Sequence, residues 1–178
     1  VATAIDSLTR GVCAQVLVQV GWPGTCDAFA VKKTIGQLFT SRPYLADIEL
    51  ANTKPVTFTS FDGTEIHGYF TAGKNQTENK PLIVNVHGGP HGVRDYWGYD
   101  GEVQLLANAG YSVLQVNFRG SGGYGNGLLE AGYLQWGDAI QRDIIAGTEW
   151  AIANGMAKAG NVCILGASFG GYSALQSA

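Results

Sequence analysis

The spacing of apolar and polar positions changes along the chain, and the change divides it. Residues 12–40 alternate in short stretches: Cys13 to Val20, a turn at Gly21-Trp22-Pro23-Gly24, Ala28 to Lys32, a second turn near Gly36, then Leu38-Phe39. This predicts antiparallel β structure. From Ser41 to Lys54 no period holds, and with Pro43 and Pro55 bracketing it the stretch reads as a linker. Beyond it, Val56 to Ser60 and Thr64 to Phe70 alternate on either side of Phe61-Asp62-Gly63, where an Asp-Gly pair signals a hairpin. Leu82 to Val86 is a continuous apolar run, as a strand covered on both faces requires. Glu102 to Asn108 has helical spacing with Gly110 as its stop, and Ser112 to Asn117 is again a strand. Asp138 to Ala153 carries Ile140, Ile144, Ile145, Thr148, Ala151 and Ile152 on one helical face, with Asp138 as the N-cap. Val162 to Leu165 is a last strand, broken at Gly166, after which a helical pattern starts. Strands alternating with helices after one hairpin predict an α/β fold with a mostly parallel sheet. Two regions follow: residues 1–45, a β segment plus linker, and residues 46–178, the α/β part.

Composition agrees with a folded chain, since 46% of the 178 residues are hydrophobic and 14% charged. A net charge of -3 with scattered lysines and arginines excludes a nucleic-acid footprint. No apolar stretch approaches the roughly 20 residues of a membrane span, and no signal peptide is expected. Cys13, Cys26 and Cys163 match neither a zinc site nor a redox pair and read as packed thiols, Cys163 as strand filling. Cys13 and Cys26 have the option of pairing in an oxidising compartment, so cytoplasmic and periplasmic locations both stay open.

The chemistry gathers where strands end, the place where open α/β sheets hold their sites. Glycines crowd there, at Gly88-Gly89, from Gly120 to Gly127, and from Gly166 to Gly171. Gly166-Ala167-Ser168-Phe169-Gly170 fits G-x-S-x-G, a strained strand-to-helix turn that exposes a serine hydroxyl. A side chain at Gly166 or Gly170 would collide with neighbouring backbone in such an elbow. The helix start would place partial positive charge and the Phe169 N–H near a developing oxyanion. His87-Gly88-Gly89-Pro90 ends the earlier strand, where hydrolases of this kind supply the other oxyanion donor, here the Gly89 N–H. Gly120, Gly122 and Gly125 lack the following helix and the ribose-binding acid of a dinucleotide site, so no cofactor is expected, nor a metal. In that loop Arg119 is expected to hold neighbouring carbonyls or a carboxylate.

Taken in order, HGGPHG, NFRGSGGYG and GASFGGYSAL resemble the prolyl oligopeptidase family of serine peptidases, especially its acylaminoacyl and dipeptidyl peptidase branches. The resemblance covers about residues 55–178. It implies an α/β-hydrolase domain with Ser168 as nucleophile and Gly89 and Phe169 as oxyanion donors. It also implies that residues 12–40 are strands of a last propeller blade. In α/β-hydrolases the acid and the histidine follow the serine, and ten residues follow Ser168 here. His67, His87 and His91 all precede it and are not expected to be the base. The 178 residues alone are therefore expected to be inactive, the front part of a longer enzyme, with a sheet edge that favours self-association. The function implied is hydrolysis of short peptides through an acyl-enzyme. A carboxylesterase of the same fold, and a non-catalytic fragment or binding module, are the alternatives.

Overall fold

The computed structural model describes residues 25–29, 35–40, 42–75, 78 and 80–177. The chain divides into two units, residues 1–50 and 51–178. In the first, β1 (Thr25–Phe29) and β2 (Ile35–Thr40) pair antiparallel, with a register shift at Cys26/Asp27. Gly36, near which a turn was expected, itself lies inside β2, opposite Ala28. The strand expected from Ala28 to Lys32 begins earlier, at Thr25, and residues 30–32 of it lie outside the described residues. The strand expected from Cys13 to Val20, and Cys13 as a partner for Cys26, lie outside the described residues. Pro43–Leu45 forms one 3₁₀ turn.

The second unit is built on a five-stranded sheet in the order β3-β4-β6-β5-β7. Its strands are β3 (Thr53–Thr59), β4 (Glu65–Thr71), β5 (Leu82–Val86), β6 (Ser112–Asn117) and β7 (Val162–Gly166). Pro55 is not a linker bracket but part of β3, opposite Tyr69, on an edge strand where a missing N–H is tolerated. The β3–β4 hairpin turns through Phe61-Asp62-Gly63, with Gly63 at φ +89°. β4 pairs antiparallel with β6, and β6, β5 and β7 run parallel.

Two crossovers fix where the helices go. From β5 the chain passes through α1 (Gly101–Asn108) to β6 on one side. From β6 it passes through α2 (Asn126–Glu130) and α3 (Ala139–Ala153) back across β5 to β7 on the other. Parallel crossovers are right-handed, so reversing direction at β6 sends α1 and α3 to opposite faces. Burial follows suit. Ile140 and Ile144 of α3 pack with Leu82, Val84, Val86, Leu114, Val116 and Phe118, the alternate positions of β5 and β6. Val103 and Ala107 of α1 are buried outside that cluster. Asp100 caps α1, accepting from the backbone N–H of Glu102 and Val103 at 2.9 and 3.0 Å.

α3 departs from expectation in two ways. Asp138 makes no capping bond; its carboxylate lies 4.0 Å from Arg142 one turn on. Ile145 is not on the buried face but 45% exposed, and Asp143 is buried instead. Cys163 is exposed rather than strand filling, because β7 is an edge strand among the described residues. α2 was not foreseen at all: Gly125, Asn126 and Gly127 read as loop.

Candidate active site

Register places the site. β5 and β7 are parallel neighbours with Val86 opposite Gly166, so the loops leaving their carboxyl ends run side by side. Two residues on, Gly88 lies against Ser168: a Cβ on Gly88 would be 3.5 Å from Ser168 Cβ and 3.4 Å from the Ala167 carbonyl. Ser168 has φ 56° and ψ -119°, is exposed, and immediately precedes α4 (Phe169–Gln176). For a side chain this conformation costs about 1–3 kcal/mol, held by the packing around it. That packing is tight backbone contact. A Cβ on Gly166 would lie 2.6 Å from both the Val86 carbonyl and Gly170 Cα, and one on Gly170 would overlap the Val86 carbonyl. Gly89 is exposed at φ +122°, in the left-handed region that favours glycine. Phe169 is 2% exposed, its ring turned into the core while its backbone opens the helix.

Beneath these loops lies an aromatic layer that sequence reasoning did not foresee. Phe118, which is fully buried, stacks on His87 at 4.2 Å and tilts against Phe169 at 5.4 Å. Trp136 meets Phe169 edge-on at 5.4 Å and donates through Nε1 to His91 Nε2 at 3.2 Å. The residue after Phe118 is Arg119, expected to hold carbonyls or a carboxylate. It holds two carboxylates: Asp143 through Nε and Nη2, both at 2.8 Å, and Asp62 through Nη1 and Nη2 at 2.8 and 3.1 Å. Asp62 sits in the hairpin turn, where Arg119 holds its carboxyl well below the usual carboxylate range. Both acids were missed, since nothing in their local spacing links residues 57 and 24 positions away from Arg119.

The three histidines are engaged elsewhere. His67 Nδ1 is 3.4 Å from Thr57 Oγ1, and the ring stacks on Tyr124 at 4.6 Å. His87 bonds Gly88 and Ser121, and burial pushes its imidazole below the ordinary 6.5. His91 faces Trp136 and Tyr133.

Four residues past His91 is a half-buried acid, Asp95. The Asp95 backbone is held on both sides by the Asn117 amide, at 2.8 and 3.1 Å, while its Oδ2 is buried without a partner. The neighbouring Arg94 donates through Nε to the Asp95 carbonyl and through Nη2 to the Tyr69 hydroxyl, both at 3.2 Å, and lies over the Tyr124 ring. Burial, with the Asp100 charge adding to it and a Gln115 bond opposing it, raises Asp95 to about 6 from the ordinary 3.8. The folded chain then holds this proton more tightly than the unfolded chain. The stabilisation is complete below pH 3.8 and is lost as pH rises through about 6, about 3 kcal/mol in all. Asp95→Asn is expected to be free of this loss, so its stability relative to wild type should rise by about 2 kcal/mol between pH 4 and pH 7. Urea denaturation at both pH values measures it, and a gap that does not change with pH contradicts the assignment.

An exposed serine on a strained strand-to-helix turn, beside a glycine loop from the adjacent parallel strand, with helices on both faces, defines an α/β-hydrolase domain. Residues 97–178 match the model of the prolyl oligopeptidase family. Dipeptidyl aminopeptidase BIII of Pseudoxanthomonas mexicana is 39% identical over 150 residues, covering 80% of this chain and 22% of that protein. Among solved structures, Pyrococcus horikoshii acylaminoacyl peptidase superposes with a TM-score of 0.72 at 29% identity, over 80% of this chain and 24% of that one. A Mycobacterium tuberculosis puromycin-hydrolyzing peptidase superposes with a TM-score of 0.76 at 26% identity, over 88% and 25%. Residues 97–178 thus belong to the prolyl oligopeptidase family, as the resemblance in the sequence implied. The chain spans about a fifth to a quarter of the length of these three proteins. No helix among the described residues is long and apolar enough to cross a membrane.

Proposed function

We propose that the protein is a serine peptidase that hydrolyses short peptides through an acyl-enzyme on Ser168. The observation that carries this reading is the exposed Ser168, held at φ 56° against the Gly88 loop. Its Oγ attacks the scissile carbonyl carbon, and its proton passes to a base, which in α/β-hydrolases is a histidine placed after the nucleophile. The carbonyl oxygen takes up negative charge beside the Gly89 and Phe169 N–H groups, and the start of α4 adds its dipole. Collapse releases the amine, and water then cleaves the acyl ester. Peptide is favoured as substrate over simple ester because the relatives' names specify it: a dipeptidyl aminopeptidase, and an acylaminoacyl peptidase solved with a peptidyl chloromethyl ketone.

Residues 1–45 are read as the end of a propeller domain that restricts entry to short peptides, and residues 46–178 as the front of the hydrolase domain. The open side of β7 is an edge at which copies of this chain would associate. The cytoplasm and the periplasm both suit such an enzyme.

The test compares a chromogenic dipeptide amide, its N-acylated counterpart and a p-nitrophenyl ester, using the chain extended to its relatives' length. Amide turnover is expected, lost on treatment with a serine-directed phosphonate that labels Ser168. Turnover of the ester alone would identify an esterase instead, and labelling at another residue would remove Ser168 from the mechanism.

A further inference from the structure

For a neutral ring, the hydrogen bonds of His87 have one consistent set of protons. The Gly88 carbonyl oxygen can only accept, so at 2.8 Å the His87 Nδ1 must carry the hydrogen. In a neutral ring Nε2 is then an acceptor, and Ser121 Oγ, 3.1 Å away and fully buried, donates to it. The ring is held flat on Phe118 at 4.2 Å, and the Ser121 backbone N–H is anchored on the Phe118 carbonyl at 3.0 Å. A serine from the glycine loop after β6 therefore selects the tautomer of a histidine at the end of β5.

The consequence falls on the next peptide. The Gly88-Gly89 bond is trans, so the Gly88 carbonyl and the Gly89 N–H point to opposite edges of one plane. Gly88 and Gly89 carry no side chains that would otherwise restrict rotation of this peptide. Holding the carbonyl toward the imidazole therefore fixes where the N–H points.

We infer that His87, with its tautomer set by Ser121, is a positioning residue that orients the Gly88-Gly89 peptide so that the Gly89 N–H faces the oxygen of a carbonyl held over Ser168. This deepens the proposed function and rests on it. The role needs a donor at the Nδ1 position, not a base, so asparagine, whose amide nitrogen falls near Nδ1, substitutes for histidine and leucine does not.

The experiment uses the extended enzyme on a peptide p-nitroanilide, together with ¹⁵N NMR of the histidine rings. His87→Leu is expected to lower kcat roughly tenfold to hundredfold, less than the 10²–10³ of losing an oxyanion donor outright, with KM nearly unchanged. His87→Asn is expected to recover most of that loss, and Ser121→Ala to show a smaller fall in kcat. The wild-type ring is expected to be protonated at Nδ1. The inference is overturned by an Nε2-protonated His87, by His87→Asn falling as far as His87→Leu, or by KM and thermal stability moving together with kcat. A wild type with no Ser168-dependent turnover ends the reading of the site and this role with it. The tautomer distinguishes that failure from failure of the clamp alone.

Discussion

Ser168→Ala, in the chain extended to its relatives' length, is expected to lower peptide-amide kcat by about 10⁵- to 10⁶-fold while leaving KM and stability almost unchanged. The size follows from covalent chemistry. Without Oγ there is no acyl-enzyme, and what remains is the modest catalysis of an oxyanion site acting on bound substrate and water. The small effect on stability follows from the geometry. Ser168 is exposed, its side chain makes no capping bond to α4, and alanine suffers the same positive φ. Ser168→Gly separates these contributions further. It should be as inactive as the alanine variant, yet more stable by on the order of 1 kcal/mol, because glycine is not strained at φ 56°. The gain is the part of the elbow's strain left after the extra freedom of glycine in the unfolded chain. Steady-state kinetics and urea denaturation of the two variants give both numbers. A glycine variant less stable than the alanine variant would mean that the strain at this residue is smaller than the freedom glycine adds to the unfolded chain. Alanine turnover within tenfold of wild type would mean that the nucleophile lies elsewhere.

The parts of this arrangement legible in the sequence are those governed by local rules. A continuous apolar run such as Leu82 to Val86 is a buried strand because both its faces are covered, and the strand has those bounds. The elbow was readable because close backbone packing at Gly166 and Gly170 admits only glycine, and that requirement leaves a five-residue signature. Failures occurred where a distant partner overrides the local pattern. On α3, period alone put Ile145 on the inner face, but that face instead holds Asp143, buried against the guanidinium from the loop after β6, and Ile145 is exposed. Asp138 looked like a cap by residue type, but its φ and ψ of -128° and -98° place no side-chain oxygen on the first turn. Cys163 follows an apolar run, and the run fitted burial on both faces, which an edge strand does not provide. The role of His87 was invisible for the same reason, since its proton is placed by a serine 34 residues away.

The same distant network supplies the largest expected loss of stability. Asp143 is completely buried and accepts four hydrogen bonds: from Arg119 Nε and Nη2 at 2.8 Å, from the Arg119 backbone N–H at 3.0 Å, and from Ser60 Oγ at 2.5 Å. Asp143→Ala removes the acceptor for all four and leaves the charge of a guanidinium 7% exposed with one partner instead of two. Breaking a buried pair in this way costs about 3–5 kcal/mol, a large share of the 5–15 kcal/mol that holds a domain together. Asp62 meets the same guanidinium at 2.8 and 3.1 Å, but its side chain is 35% exposed, and water takes over where the carboxylate is lost. Asp62→Ala is accordingly expected to cost about 1 kcal/mol or less. The two acids differ in burial and in the bonds Asp143 also accepts from Ser60 and the Arg119 backbone, so the comparison sets a buried network against a half-exposed pair. The loss also reaches the site. Arg119 fixes the backbone next to Phe118, and Phe118 carries the rings of His87 and Phe169, so Asp143→Ala should lose catalytic turnover at lower temperature than Asp62→Ala. Equilibrium urea unfolding of the two variants decides the matter, and equal costs would mean that the buried carboxylate is replaced by water or by a rearranged Arg119.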